Sequence, residues 1–282
     1  MRRAPHRADA ALDGPSFVSQ PPGVNRTTEA LERWIDRLWI DARGAGLRDE
    51  DRKKARELGG VLDEVGRAVD RISRRRDPLV LVDAAAGKGY VGLLAPGLVF
   101  EPRGRRVEVH AIERDPARVQ ALLQAAARGG VAVNAVAGDV GDPDLWPAHP
   151  DIVVALHACG DASDRVIELA TARRARCVLV APCCVAGALP AARRAVSRAD
   201  ALGLPRSGAL RRGFVESMVM AERTLALEAA GWRTEVTSFA PPSVTPHGLL
   251  LRAERVGEPR RMDDARLRLE RLRAPTEPGV SG

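Results

Sequence analysis

Between residues 79 and 181 the chain repeats one unit: a short, unbroken apolar run that stops at a polar or glycine-bearing end and is followed by a helical stretch. The runs are Leu79-Val80-Leu81-Val82, Val107 to Ile112, Val131 to Ala137, Asp151 to Leu156 and Cys177 to Ala181, with helices expected at 116–127 and 162–174. Runs this short, and apolar at consecutive positions, read as strands buried on both faces, and parallel strands need crossover connections. That rhythm predicts an α/β fold with a doubly wound, mostly parallel sheet. After residue 181 it changes. An arginine-rich stretch over 190–213 precedes a helix expected at 214–230 and closed by Gly231; strands follow at 232–239 and 248–255, separated by Pro241-Pro242 and Pro246. A helix and then a terminal hairpin place one antiparallel strand at the sheet edge, for seven strands in all.

Residues 1–26 hold Pro5, Pro15, Pro21 and Pro22 without apolar periodicity and are expected to form a disordered arm. Thr27 or Thr28 caps a helix with Leu31, Trp34, Ile35, Leu38 and Trp39 at helical spacing, and a second helix over 49–75 carries Leu58, Val61, Leu62, Val65, Val69 and Ile72 on one face. The expected organisation is an arm (1–26), an N-terminal helical region (27–77), a main domain (78–256) and a C-terminal tail (257–282). With 45% hydrophobic residues the chain can bury a large core; with 3% aromatic residues that core is built of Ala, Val and Leu, and a platform of stacked bases is excluded. No apolar run reaches membrane-spanning length, so a soluble, cytoplasmic protein without membrane contacts is expected. Four cysteines are too few for a disulfide framework in 282 residues.

In an open parallel sheet the ligand lies beyond the carboxyl ends of the strands. Those ends read Asp83 with Gly87-Lys88-Gly89-Tyr90-Val91-Gly92, then Glu113, Gly138-Asp139, His157-Ala158-Cys159-Gly160-Asp161 and Pro182-Cys183-Cys184. The glycine pattern with Glu113 permits an NAD-dependent oxidoreductase. Asp83 disfavours one, because a pyrophosphate would meet a negative charge, whereas an acid there suits a cation such as the ammonium of a methionine moiety. Asp139 adds an acceptor for an exocyclic amine. Together these ends suit S-adenosylmethionine better than NAD.

The stretch Asp83 to Gly89, with Glu113 and Gly138-Asp139, resembles the first three motifs of class I S-adenosylmethionine-dependent methyltransferases. Leu156-His157-Ala158-Cys159-Gly160-Asp161 with Pro182-Cys183-Cys184 resembles the methyltransferase-domain family that includes methyltransferase-like protein 25, the glutathione S-transferase C-terminal-domain-containing protein and, more distantly, a tRNA 2′-O-methyltransferase. Bacterial members are similar through Ala221-Glu222-Arg223-Thr224-Leu225 and Val244-Thr245-Pro246-His247-Gly248-Leu249-Leu250. The resemblance spans about residues 78–255. It implies a seven-stranded, Rossmann-like sheet with S-adenosylmethionine held by Asp83, Ala85, Gly87, Gly89, Glu113 and Asp139. Ala85 departs from the family's glycine, and its methyl group is accommodated if the backbone angle there stays negative.

Cys159, Cys183 and Cys184 all fall just past strand ends, while Cys177 reads as core. The three thiols line a pocket, or bind a metal with His157, or supply a nucleophile for carbon methylation; no metal is expected, since the adjacent pair suits tetrahedral geometry poorly. The candidate catalytic residues are His157 as a proton acceptor, Cys159, and Asp161, which either orients the acceptor or caps a helix. Cys183, Cys184, Arg193 and Arg194 are the candidate acceptor-binding residues. The net charge of +7 is almost wholly arginine and lies in the flanks, since residues 78–180 hold slightly more acids than bases. The arginine-rich 190–213 segment points to RNA as the acceptor, with a protein or a small anionic metabolite as alternatives. A degenerate methyltransferase fold serving as a binding module is the non-enzymatic alternative.

Overall fold

A computed structural model of the chain describes residues 28–40, 45–182, 185, 187–206, 208–245 and 248–274. The alternating runs form parallel strands β1 (Leu79–Ala84), β2 (Val107–Glu113), β3 (Asn134–Ala137), β4 (Ile152–Leu156) and β5 (Cys177–Ala181), and the terminal hairpin supplies β6 (Trp232–Ser238) and β7 (Leu249–Arg255). The sheet order is β3-β2-β1-β4-β5-β7-β6. β7 runs antiparallel between β5 and β6, as a chain that ends in a hairpin beside a parallel sheet requires. This is the seven-stranded arrangement of the class I methyltransferase fold.

Successive strand residues point to opposite faces, and both faces are covered. Leu79, Leu81, Val109, Ile152 and Leu179 pack against α1 (Thr28–Ile35), α2 (Asp49–Arg71), α3 (Tyr90–Ala95) and α4 (Pro116–Gly129). Val82, Ile112, Val153, Val178 and Val180 pack against α5 (Ala162–Ala172) and α7 (Ala209–Ala229). The N-terminal helices therefore share one core with the sheet and form part of a layer of the fold. α2 also meets the loop after β6 without clearance: a Cβ on Gly60 would stand 1.7 Å from the Phe239 carbonyl oxygen.

Several boundaries differ from the sequence reading. α2 ends at Arg71, short of residue 75, where the Arg105 guanidinium holds the turn by donating to the carbonyls of Ile72, Ser73 and Arg76. The arginine-rich stretch folds as α6 (Pro190–Ala201), whose buried face is Ala192, Ala195 and Ala199, too small to stand out among arginines. α7 starts at Ala209 instead of 214. Within the stretch read as a tail, Pro259–Arg273 is helix α8, packed on α7.

Sheet order reverses between β1 and β4, so the crevice above their carboxyl ends is where ligands bind in such sheets.

Candidate functional site

β1 delivers Asp83 to the crevice, and the chain then turns through Ala85 to Gly89 before α3. Three residues of the turn are left-handed, with φ of +56° at Ala85, +59° at Gly87 and +74° at Gly89. The condition under which the methyl group of Ala85 is accommodated without strain is not met: it sits at a positive angle, at a cost of about 1 kcal/mol. Neighbouring hydrogen bonds hold it there, Ala86 N to the Ile112 carbonyl at 3.0 Å, Gly89 N to the Ala86 carbonyl at 2.8 Å, and Gly87 N to Glu113 Oε2 at 2.7 Å. Gly89 has no such latitude, since a Cβ would meet Leu122 at 2.5 Å.

Asp83 is 2% exposed, and its one hydrogen bond among the described residues comes from Gly92 N at 2.8 Å. Burial pushes its carboxyl up to about 7, a rise that the Gly92 hydrogen bond opposes and the nearby Glu113 reinforces. A buried, under-compensated carboxylate on a cavity wall is the complement of a cation. Glu113, at the end of β2, accepts from Gly87 N and from Asp115 N at 3.0 Å. Asp139, past the end of β3, accepts from Gly141 N at 2.8 Å and from Arg165 at 3.1 Å; these hold it below the usual carboxylate range, Gly141 first and Arg165 after it.

The crevice has two lobes of about 290 Å³ each. One is walled by Asp83, Lys54 and Tyr90, the other by Glu113, Asp139 and Asp161, and Ala85, Arg118 and His157 line both. Acids that suit an ammonium, a ribose and an adenine amine are thus distributed along one continuous cleft. Asp83, Ala85 and Gly87 would hold the methionine end of S-adenosylmethionine, and Glu113 and Asp139 the adenosine end.

His157 follows β4 in a strained left-handed conformation, φ +62°, with its backbone N–H bonded to the Ala181 carbonyl at 2.8 Å. Its Nε2 lies 2.7 Å from Glu57 Oε1, and the other oxygen of Glu57 accepts from Lys54 Nζ at 2.7 Å. Burial raises the Glu57 carboxyl, but the bonds from His157 and Lys54 outweigh it and leave the group below its ordinary range. Lys54 in turn lies 5.6 Å from the ring centroid of Tyr90, against which Trp39 packs at 4.4 Å. Neither Lys54 nor Glu57 is singled out by the sequence reading. The available signal is that Glu57 falls on the apolar face of α2, beside Leu58 and Val61, where a solvated acid does not belong.

The remaining candidates are placed as follows. Asp161 stands at the N-cap position of α5 but its side chain makes no capping bond; it accepts from Arg165 instead. The loop bearing it is tied to α7 by buried Arg223, which donates to Asp164 and to the Gly160 carbonyl. Cys159 lines the second lobe and is disulfide-bonded, so in this structure its sulfur is neither a thiolate nucleophile nor a metal ligand. Cys177 is buried in the core with a free thiol. Cys183 and Cys184 lie outside the described residues. Arg194 pairs with Glu222, which also holds Arg273 at 2.8 Å, and Arg193 donates to the Ala188 carbonyl at 2.8 Å; neither lines the cleft. The arginine segment is spent largely on packing α6, α7 and α8 together.

Residues 53–188 match the family profile of a methyltransferase domain, a stretch that starts just before Lys54 and Glu57 and includes every strand of the parallel sheet. No curated protein matches the chain. Similar solved structures include magnesium protoporphyrin IX methyltransferase from Synechocystis with bound S-adenosylhomocysteine (15% identity, 82% of this chain and 96% of that one, TM-score 0.45). Others are a ribosomal protein L11 methylase from Lactobacillus delbrueckii (12%, 73% and 80%, 0.40) and an S-adenosylhomocysteine-bound methyltransferase from Podospora anserina (12%, 80% and 86%, 0.44). No helix among the described residues is long and apolar enough to cross a membrane. The sheet order and the profile match agree: the chain has the class I methyltransferase fold, and its residues 53–188 are similar to a methyltransferase domain.

Proposed function

We propose that the chain methylates a nitrogen or oxygen atom of RNA, with His157 as the proton acceptor and Glu57 as the residue that orients and charges it. The observation that carries this reading is the position of His157 at the junction of the two lobes, with a buried carboxylate 2.7 Å behind its Nε2. When bound, S-adenosylmethionine supplies an electrophilic methyl group that already carries its own driving force. A base is needed only where the acceptor is a weak nucleophile. In the neutral imidazole with Nε2–H donated to Glu57, Nδ1 is the ring's acceptor. It takes the acceptor's proton, and the Glu57 carboxylate stabilises the imidazolium that forms. Lys54 holds Glu57 ionised, and the disulfide-bonded state of Cys159 speaks against the nucleophilic alternative.

RNA is favoured by charge. The chain carries +7 overall, and Lys88, Arg114 and Arg118 line the cleft itself, where they would face phosphates bound along its rim. The resemblance of His157 to Asp161 to the family of methyltransferase-like protein 25, which also includes a more distant tRNA 2′-O-methyltransferase, is in line with an RNA acceptor.

The test is incubation with methyl-labelled S-adenosylmethionine and separate RNA, protein and metabolite pools. Label is expected in RNA. Glu57→Gln is expected to lower kcat at least about tenfold, with S-adenosylhomocysteine affinity within about threefold of wild type. Label confined to protein or metabolites would refute the RNA acceptor, and unchanged kcat in Glu57→Gln would refute the dyad.

A further inference from the structure

At the opposite edge of the sheet, where β1, β4 and β5 begin and β7 ends, lies a cleft of about 670 Å³, more than twice the volume of either lobe of the methyltransferase site. Its walls carry five arginines, Arg71, Arg76, Arg174, Arg176 and Arg255, drawn from three separate parts of the chain: the end of α2 and its loop to β1, the loop between α5 and β5, and the end of β7. Two carboxylates answer them. Glu254 pairs with Arg71 at 2.7 Å, and fully buried Asp151 takes Arg76 and, at 3.1 Å, Arg176. Asp151 also accepts Val80 N at 2.9 Å, so it is a strut of the sheet as much as a counter-charge. Three positive charges are left uncompensated by acids around one cavity.

Two of these arginines are held at a cost. Arg255 is half-buried and, among the described residues, donates only to neutral oxygens, the Ala175 carbonyl at 3.1 Å and the Thr171 carbonyl at 2.9 Å, with its guanidinium 4.7 Å over the Trp232 ring. Burial, and then repulsion from Arg174, push it below the ordinary arginine range. Arg174 sits just past the C-terminus of α5 at φ +56°, the left-handed position where glycine is the usual residue, and its side chain has no hydrogen-bond partner among the described residues. A folded chain that places an arginine where glycine is favoured, facing a second arginine it repels, gains if an anion lies between them. Guanidinium forks match phosphate oxygens two at a time.

From this cleft we infer a second binding site, separate from the methyltransferase cleft, for a ligand bearing two or more phosphate groups. The shared chemistry is a run of phosphates, which a nucleoside polyphosphate or the backbone of an RNA supplies equally. The inference does not depend on which molecule is methylated.

The experiment uses the full chain saturated with S-adenosylhomocysteine, so that the first cleft is filled, and titrates it calorimetrically with inorganic tripolyphosphate, ATP or a short RNA. The comparison is Arg174→Gly with Arg176→Gln. Arg174→Gly removes backbone strain, and Asp151 keeps Arg76 as a partner, so the double variant is expected to melt no lower than wild type. Binding of at least one probe is expected, weakening with added KCl, and at least about tenfold weaker in the variant with S-adenosylhomocysteine affinity unchanged. Saturation by tripolyphosphate or ATP identifies a small phosphorylated ligand, and binding of RNA alone identifies a nucleic-acid backbone. Binding of none of the three probes below 1 mM, or equal binding by wild type and variant, overturns the inference.

Discussion

Single residues carry the chemistry of the cleft, and two of them give predictions that separate this account from a generic one. Asp83 is raised to about 7 in the folded chain against 3.8 for an ordinary aspartate, so the folded state holds a proton there that the unfolded chain has released. Between those values the folded state binds more protons, and stability present below pH 4 is lost as pH rises through 7. Asp83→Asn is expected to flatten that loss in chemical denaturation curves at pH 4 to 8. Because a bound cation favours the ionised carboxylate, wild-type affinity for S-adenosylhomocysteine should rise with pH through about 7, and the asparagine variant should bind weakly with little pH dependence. Ala85 gives the second prediction. Its positive φ means that Ala85→Gly relieves strain of about 1 kcal/mol. An increase in Tm of about 2 to 4 °C is expected in calorimetry, with cofactor affinity equal or tighter; a lower Tm would show that the turn tolerates the methyl group without strain. The acids of this site are legible in the sequence because each follows an apolar run. Glu57 is not: it lies more than twenty residues before the glycine turn, among Asp49, Glu50, Asp51, Asp63 and Glu64 on the same helix, and its inward face is one that Glu64 shares.

Elements bring these residues together, and α2 does so with little tolerance. It presents Lys54 to the cleft and Glu57 to His157 behind it at one end, and Glu64 to Arg252 of β7 at 2.9 Å further along. Between them Gly60 lets its backbone approach Phe239, so Gly60→Ala must displace backbone and is expected to destabilise the chain by about 3 kcal/mol in urea unfolding. It should also reduce methyl transfer by shifting Glu57 from His157. A neutral effect on both would show that α2 is not fixed where the fold places it. The strands were readable to within a few residues because continuous apolar runs bounded by polar ends have few other uses in a soluble fold. The boundaries of α2 and α7 were not, since they depend on a guanidinium capping a turn and on helix packing that joins residues far apart in sequence. In α6 the buried side chains are alanines, which leave no periodic signal against a background of arginine.

At the scale of the whole molecule, the sheet separates two charged environments. Its carboxyl edge holds a cleft whose walls mix Asp83, Glu113, Asp139 and Asp161 with lysines and arginines, and its amino edge holds a cleft whose charged lining is mainly arginine. The excess basic charge is visible in composition, but its placement is not. The 190–213 segment suggests an acceptor surface, whereas the folded chain uses Arg194 and Arg211 in ion pairs and gathers into one cleft five arginines scattered from 71 to 255, with only two acids, Glu254 and Asp151, to answer them. Only the sheet topology brings those positions together. The central claim, that His157 accepts a proton during methyl transfer from S-adenosylmethionine, is tested most directly by comparing single-turnover methyl transfer by wild type and His157→Gln at saturating cofactor. A rate lower by a factor of about 100 or more is expected in the variant, with cofactor affinity within about threefold; transfer at the wild-type rate would rule out His157 as the proton acceptor.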